Sequence, residues 1–213
     1  MTREFFPVHA SMTNIVEDSS VDVYVNTARI CSNMSNAEFR ALVMKLRDEA
    51  VRLIDLRMIG LATVWTRERE RVQTWFGKAD EDTRQILLHG LPRLQVALKE
   101  LQPHKIVRFD DDLNIYLSCT PAPVDPNVAA SVCKPDSSKR VVAIYPSFCT
   151  LPDTNSTKDS KLKTLIHECT HYIDTFDSAD AMYGSGTGLS IWAQRRPDQT
   201  INNADNIACY IAN

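Results

Sequence analysis

The sequence predicts an α+β domain, and three observations carry that reading. Apolar residues recur at helical spacing through the first half of the chain. A middle stretch has short β-branched and aromatic runs bounded by Asp, Pro and Ser. Helical spacing then returns around two histidines four residues apart. The expected order is N-terminal helices, a small antiparallel sheet, a helix carrying both histidines, and short C-terminal helices.

Residues 1–30 have mixed polarity and no clear period, so they read as an extended N-terminal arm ahead of a domain over 31–213. From Asn36, Phe39, Leu42, Val43, Leu46, Val51, Leu53, Ile54 and Leu56 form an apolar stripe, preceded by Ser35 and Glu38 in capping-box spacing. Helices are expected to continue over Val64–Phe76 and Glu81–Leu101, with Gly90-Leu91-Pro92 bending or breaking the second. Met44 and Met58 read as core filler, and the alternating run Arg67–Arg71 reads as a solvated face. Ile106–Phe109, Leu113–Leu117 and Arg140–Tyr145 read as strands. Thr120–Lys139 holds four of the ten prolines and reads as a long loop forming a cleft wall. The histidine helix should begin near Ser156–Lys161, and Ser190–Asn213 should add one or two short helices.

A chain of 213 residues with 44% hydrophobic content can bury one sizeable core. Net charge is −3, which offers nucleic acid no basic footprint. No window of 18 apolar residues is present, so no membrane span is expected. The six cysteines, Cys31, Cys119, Cys133, Cys149, Cys169 and Cys209, include no Cys-x-x-Cys pair and suit disulfides in an oxidising compartment. Met1–His9 lacks an apolar core of signal-peptide length. The expectation is therefore a start after a removed segment, or export as a toxin or effector by a route without a cleavable signal.

The chemistry is concentrated in His167-Glu168-Cys169-Thr170-His171. Histidines four apart on a helix share one face, so both imidazoles can reach one zinc ion, leaving Glu168 beside the metal as a general base. A catalytic zinc takes a third protein ligand. No histidine follows His171 and no glutamate follows Glu168, which leaves Asp174, Asp177, Asp180, Asp198 and Asp205. Asp177 occupies the third-ligand place of H-E-x-x-H-x-x-G-x-x-H, although Asp174 stands where that motif has its turning glycine. Asp180 is followed by Gly184, Ser185, Gly186 and Gly188, which permit the chain to return toward the metal.

His167-Glu-x-x-His171, Asp180-x-x-Tyr183-Gly184 and Asn203-Ala204-Asp205-Asn206 together resemble the aspzincins, the group of deuterolysin and peptidyl-Lys metalloendopeptidase. Thr74–Gly77 and Ala143–Pro146 are weaker echoes. The resemblance implies a zincin-like fold with His167, His171 and Asp180 as zinc ligands. It also implies Glu168 as catalytic base and Tyr183 as hydroxyl donor to the oxyanion. It favours bridges Cys31–Cys119 and Cys133–Cys149, which leaves Cys169–Cys209 as the third pair. Two departures from the family pattern stand out: Asp177-Ser178 replaces Gly-Thr, and Ala208 replaces an acid found in lysine-specific members.

The expected activity is endopeptidase hydrolysis by water that zinc activates and Glu168 deprotonates. Asp205 is expected either to orient a ligand histidine or to sit in the substrate pocket. Protein or peptide is the expected substrate, with at most a moderate preference for Lys or Arg after the scissile bond. An inhibitor or immunity protein is a conceivable partner, and a monomer is expected. The alternatives are a zinc-stabilised binding protein without turnover and a metal hydrolase acting on a non-peptide amide.

Overall fold

The computed structural model describes residues 28–111, 114 and 117–213. The expected arm therefore lies outside the described residues except for residues 28–30. Those are already fastened to the fold: Asn36 accepts from Ile30 N at 2.8 Å and donates to Ala28 O at 3.1 Å.

Helix α1 spans Asn36–Thr63 and begins at the predicted capping box, with Glu38 N donating to Ser35 Oγ at 3.2 Å and Ser35 N to Glu38 Oε2 at 2.8 Å. Its buried stripe is Phe39, Val43, Leu46, Ala50, Ile54 and Leu61, whereas Leu56 faces outward. Helix α2 (Trp65–Phe76) folds back from Val64. Its Glu68 is buried against Arg57 at 3.5 Å and Arg71 at 3.7 Å, so the charged run does not lie wholly on a solvated face as expected. Gly60 makes room for this return, because a Cβ there would lie 2.6 Å from Glu68 Oε2.

Helix α3 (Glu81–Glu100) runs through Pro92 and does not end at Gly90-Leu91-Pro92. A proline inside a helix costs about 3 kcal/mol. Leu87, Leu91, Leu94 and Leu98 are all fully buried on this helix, and each burial contributes about 1.5–3 kcal/mol, so packing outweighs the lost backbone bond. Gly90 has a separate task. A Cβ on it would stand 2.3 Å from Phe176, in the loop that leads toward Asp180. Gly90→Ala should therefore destabilise the protein by about 1–3 kcal/mol through overpacking, read as a lower denaturation midpoint at unchanged m-value.

The sheet has three strands, β1 (Ile106–Arg108), β2 (Ala130–Val132) and β3 (Val142–Ile144), in the order β1-β3-β2. The antiparallel expectation holds for β2 with β3, but β1 runs parallel to β3, so the sheet is mixed. Strand β2 falls inside the stretch read as loop, where three residues, Ala-Ser-Val, give too short a run for alternation to register. The expected strand Leu113–Leu117 lies mostly outside the described residues, and its described members Asn114 and Leu117 are not in a strand. Helix α4 (Pro146–Thr150), absent from the sequence reading, starts with Pro146 at its first turn.

Helix α5 (Lys161–Thr170) is capped by Ser160, whose Oγ accepts from Lys163 N at 3.3 Å. It buries Leu162, Leu165, Ile166 and Cys169 in the core and turns Lys163, His167 and Glu168 toward a cleft. The tail forms three helices: α6 (Thr187–Arg195), α7 (Pro197–Thr200) and α8 (Ala204–Ala212). Helix α8 packs along α5. No helix among the described residues is long and apolar enough to cross a membrane.

Two disulfides form, Cys31–Cys149 and Cys119–Cys133, and neither is one of the expected pairs. Cys31 sits just before α1, where the core brings α4 and Cys149 against it, and Cys133 ends the short β2 arm close to Cys119. Cys169 and Cys209 are unpaired thiols. Cys169 belongs to the core on α5, whereas Cys209 lines the cleft from α8.

Candidate metal centre

One turn of α5 brings the two imidazoles together. His167 lies within the helix and His171 caps its C-terminus, and their ring centroids are 4.8 Å apart. Each ring is fixed from behind. His167 Nδ1 lies 2.5 Å from Asp205 Oδ1, and His171 Nδ1 lies 3.0 Å from the Ser178 carbonyl oxygen. Carboxylate and carbonyl oxygens only accept, so each Nδ1 carries a proton and each Nε2 points inward, able to give its lone pair to a metal once any proton it holds is displaced. The two Nε2 atoms are 3.1 Å apart, and Asp180 Oδ1 completes the group at 3.2 Å from His167 Nε2 and 3.4 Å from His171 Nε2.

These separations fit zinc. Donors about 2.0–2.1 Å from a tetrahedral ion stand about 3.3–3.4 Å from one another. His167, His171 and Asp180 form the one group among the described residues whose ligand atoms converge in this way, all within 4.8 Å. The electrostatics agree. Burial pushes the His167 imidazole down, but hydrogen bonding to Asp180 and Asp205 outweighs it and lifts the group to about 10. Burial would raise Asp180, yet bonding to the two imidazoles holds its carboxyl far below the usual range. The cluster is thus built around positive charge, and a divalent ion can replace the protons that would otherwise supply it.

The five candidate aspartates separate cleanly. Asp180 is in the cluster and Asp205 is behind His167. Asp174 is engaged by the buried guanidinium of Arg140, which also meets Glu100 at 2.9 Å. Asp177 pairs with Lys134 at 2.7 Å and has φ +52°, the left-handed region. Asp198 is exposed beside Lys78, at 3.5 Å.

The loop carrying Asp180 is stapled to the start of α8. Asn203 Oδ1 accepts from Ala181 N at 2.9 Å and Met182 N at 3.0 Å, while its Nδ2 donates to Met182 O at 2.9 Å. Asp205 Oδ2 accepts from Gly184 N at 2.7 Å, and Asn206 Nδ2 ties the helix to Trp75 O at 2.6 Å. Sequence reasoning noticed the string Asn203–Asn206 but assigned no task to Asn203 or Asn206. It also missed the Ser178 carbonyl, because a backbone acceptor has no side-chain signature. Both oxygens of Asp205 are engaged, Oδ1 by His167 and Oδ2 by Gly184 N, and the residue also lines the cleft. Asp205→Asn should weaken zinc binding about 10–100-fold, the usual effect of losing a ligand's outer partner, read by competition with a chromophoric chelator.

Glu168 is buried, with Oε1 4.0 Å from His167 Nε2, beside the cluster and outside it. Burial raises its carboxyl above the usual range, an effect the two imidazoles oppose. Tyr183 is 67% exposed and its ring stacks near His167 at a centroid distance of 6.4 Å. All of these groups line one cleft of about 960 Å³. Its lining also includes Ala130, Ser131 and Val132 of β2, an edge strand of the sheet among the described residues.

Comparison with known proteins gives two matches. The aspzincin family model described as lysine-specific metallo-endopeptidase matches residues 61–212. Among solved structures, a zinc peptidase from Grifola frondosa is similar with TM-score 0.61 at 19% identity, covering 84% of this chain and 97% of its own. A search of curated proteins finds no match.

Proposed function

This chain belongs to the aspzincin family of zinc metallo-endopeptidases, and on that premise we propose that His167, His171 and Asp180 hold the zinc ion while Glu168 carries the proton in peptide-bond hydrolysis. The observation that supports this reading is the convergence of two imidazole Nε2 atoms and Asp180 Oδ1 beside a buried carboxylate that is not among the converging donors. Zinc held there would act as a Lewis acid on the scissile carbonyl and bring the pKa of water toward neutrality.

The residues of the chain supply the rest. Glu168 takes the proton from the attacking water and delivers it to the departing nitrogen. A raised carboxyl is suited to both halves of that transfer, because its affinity for a proton is closer to neutral pH than that of an exposed glutamate. Asp205 and the Ser178 carbonyl hold the imidazoles in one tautomer and one orientation. Tyr183 donates its phenol hydroxyl to the carbonyl oxygen as negative charge develops there. Among the described residues β2 is an edge strand and lines the cleft, so an extended peptide that adds to the sheet would lie across the site, which favours a peptide over a small amide. The two disulfides support action in an oxidising compartment, and an exported effector or toxin is the extension of that reading.

The test combines metal analysis with casein hydrolysis. One zinc per chain, activity abolished by a chelator and restored by zinc, and cleavage within the chain of the substrate are expected. Stoichiometric zinc with no cleavage of any protein or peptide would remove the catalytic reading.

A further inference from the structure

The turn between His171 and Asp180 is gripped by the segment that follows β2. Ser137 Oγ accepts from Ile173 N at 2.9 Å, and the Arg140 guanidinium donates to Asp174 Oδ1 at 2.7 Å. Lys134 holds the end of the turn nearest the metal centre. Its Nζ lies 2.7 Å from Asp177 Oδ1 and donates to the carbonyls of Asp177 at 3.0 Å and Ser178 at 3.1 Å, so the three protons of one ammonium meet three oxygens.

Of these contacts, the one to Ser178 reaches the partner of a proposed ligand. The carbonyl oxygen that accepts from Lys134 also accepts from His171 Nδ1 at 3.0 Å. A carbonyl has two lone pairs, so it can take both donors, and its place is then set by both. The Ser178 hydroxyl stands 3.2 Å from the same Nδ1 and 2.7 Å from Thr170 Oγ1, but a hydroxyl rotates to suit, whereas the carbonyl goes where the backbone takes it. That backbone passes through Asp177 at φ +52°, a conformation that side-chain-bearing residues rarely adopt without support. On the other side, Cys133 alone separates Lys134 from Val132, the last residue of β2, and Cys133 is anchored by its bridge to Cys119. Strand β2 and Lys134 both line the cleft.

We propose that Lys134 is a positioning residue for the metal centre. By holding the Ser178 carbonyl it fixes the imidazole of His171, and across Cys133 it ties that ligand to the strand along which an extended substrate would lie. An ammonium suits the task because it gives three bonds from a single atom and accepts none.

This inference rests on His171 being a zinc ligand, and its readouts need no turnover. Zinc affinity is measured by competition with a chromophoric chelator, and ligand geometry by the visible absorption of the protein loaded with cobalt instead of zinc. Lys134→Met should weaken zinc binding by about tenfold, the low end of the range for loss of a ligand's outer partner, and shift the cobalt bands. Lys134→Arg should restore most of both, since a guanidinium keeps the charge and can span two of the three oxygens. Asp177→Ala should cost less zinc affinity in the Lys134→Met background than on its own, because the two side chains share one interaction. Asp174→Asn weakens the Arg140 grip, which does not touch Ser178, so it should lower the thermal midpoint and leave zinc affinity and the cobalt spectrum unchanged. If Lys134→Met does not fold, Lys134→Gln replaces it and should bind zinc more weakly than Lys134→Arg. A folded variant without the ammonium that keeps wild-type zinc affinity and the wild-type cobalt spectrum would overturn the proposal, and so would an Asp174→Asn variant that moves both as far as Lys134→Met. Should the zinc pattern hold while no peptide is cleaved, the peptidase reading fails and the role of Lys134 stands.

Discussion

Replacing Glu168 by glutamine is expected to leave zinc bound at one ion per chain while lowering turnover by about 10²–10⁴-fold, the range for loss of a positioned proton carrier. Glutamine keeps the size and hydrogen-bonding reach of the side chain. What it lacks is the ability to take a proton and give it back. Because Glu168 lies outside the group formed by His167, His171 and Asp180, the proposed reading gives its charge a part in the field at the site and none in holding the ion. Metal content and rate should therefore separate. Removal of a buried carboxylate whose proton affinity is raised by burial should also simplify the pH dependence, erasing the acidic limb that Glu168 imposes on kcat. A variant that loses zinc together with activity would place Glu168 among the ligands. One that keeps most of its rate would assign the proton transfer elsewhere, and Tyr183, exposed at the mouth of the site, is the next group in reach.

How much of this was legible in the sequence depends on how local each signal is. The capping box at Ser35 and Glu38 involves residues three apart, and it was read correctly along with the helix it starts. The two histidines share a helix face by periodicity alone, so their meeting needed no tertiary information. The third member required knowing how the chain returns from α5. The packing of Phe176 against Gly90, the clamp from Lys134 and the staple from Asn203 hold that path, and all three are contacts between segments far apart in sequence. The disulfides failed for the same reason. Four of the six cysteines were correctly placed in bridges, but their pairing follows from α4 lying against the start of α1, which no local pattern encodes. The break that Pro92 could have made does not occur for a different reason: its local cost is real, and burial of the surrounding leucines overrides it.

The largest effect on metal binding is expected at Asp180. Asp180→Ala should weaken zinc binding by more than about 100-fold, beyond what loss of an outer partner produces, because the alanine leaves two neutral imidazoles to hold a dication. Asp177→Ala tests the rival assignment and should lower zinc affinity by less than about tenfold. Its carboxylate points to Lys134, whose Nζ also donates to the carbonyls of Asp177 at 3.0 Å and Ser178 at 3.1 Å. The Ser178 carbonyl is the one that accepts from His171, so this clamp reaches the metal site through a shared oxygen. Asp177 also sits at φ +52°, a conformation that costs a side-chain-bearing residue about 1–2 kcal/mol and glycine little. Asp177→Gly should accordingly be better tolerated than Asp177→Ala, because it loses the same ion pair but relieves the backbone. Zinc titrations of the three variants give the order Asp180→Ala far weakest, then Asp177→Ala, then Asp177→Gly. An inverted order, with Asp177→Ala losing the metal and Asp180→Ala retaining it, would move the third ligand to position 177 and require the loop to leave the path that Asn203 and Lys134 hold.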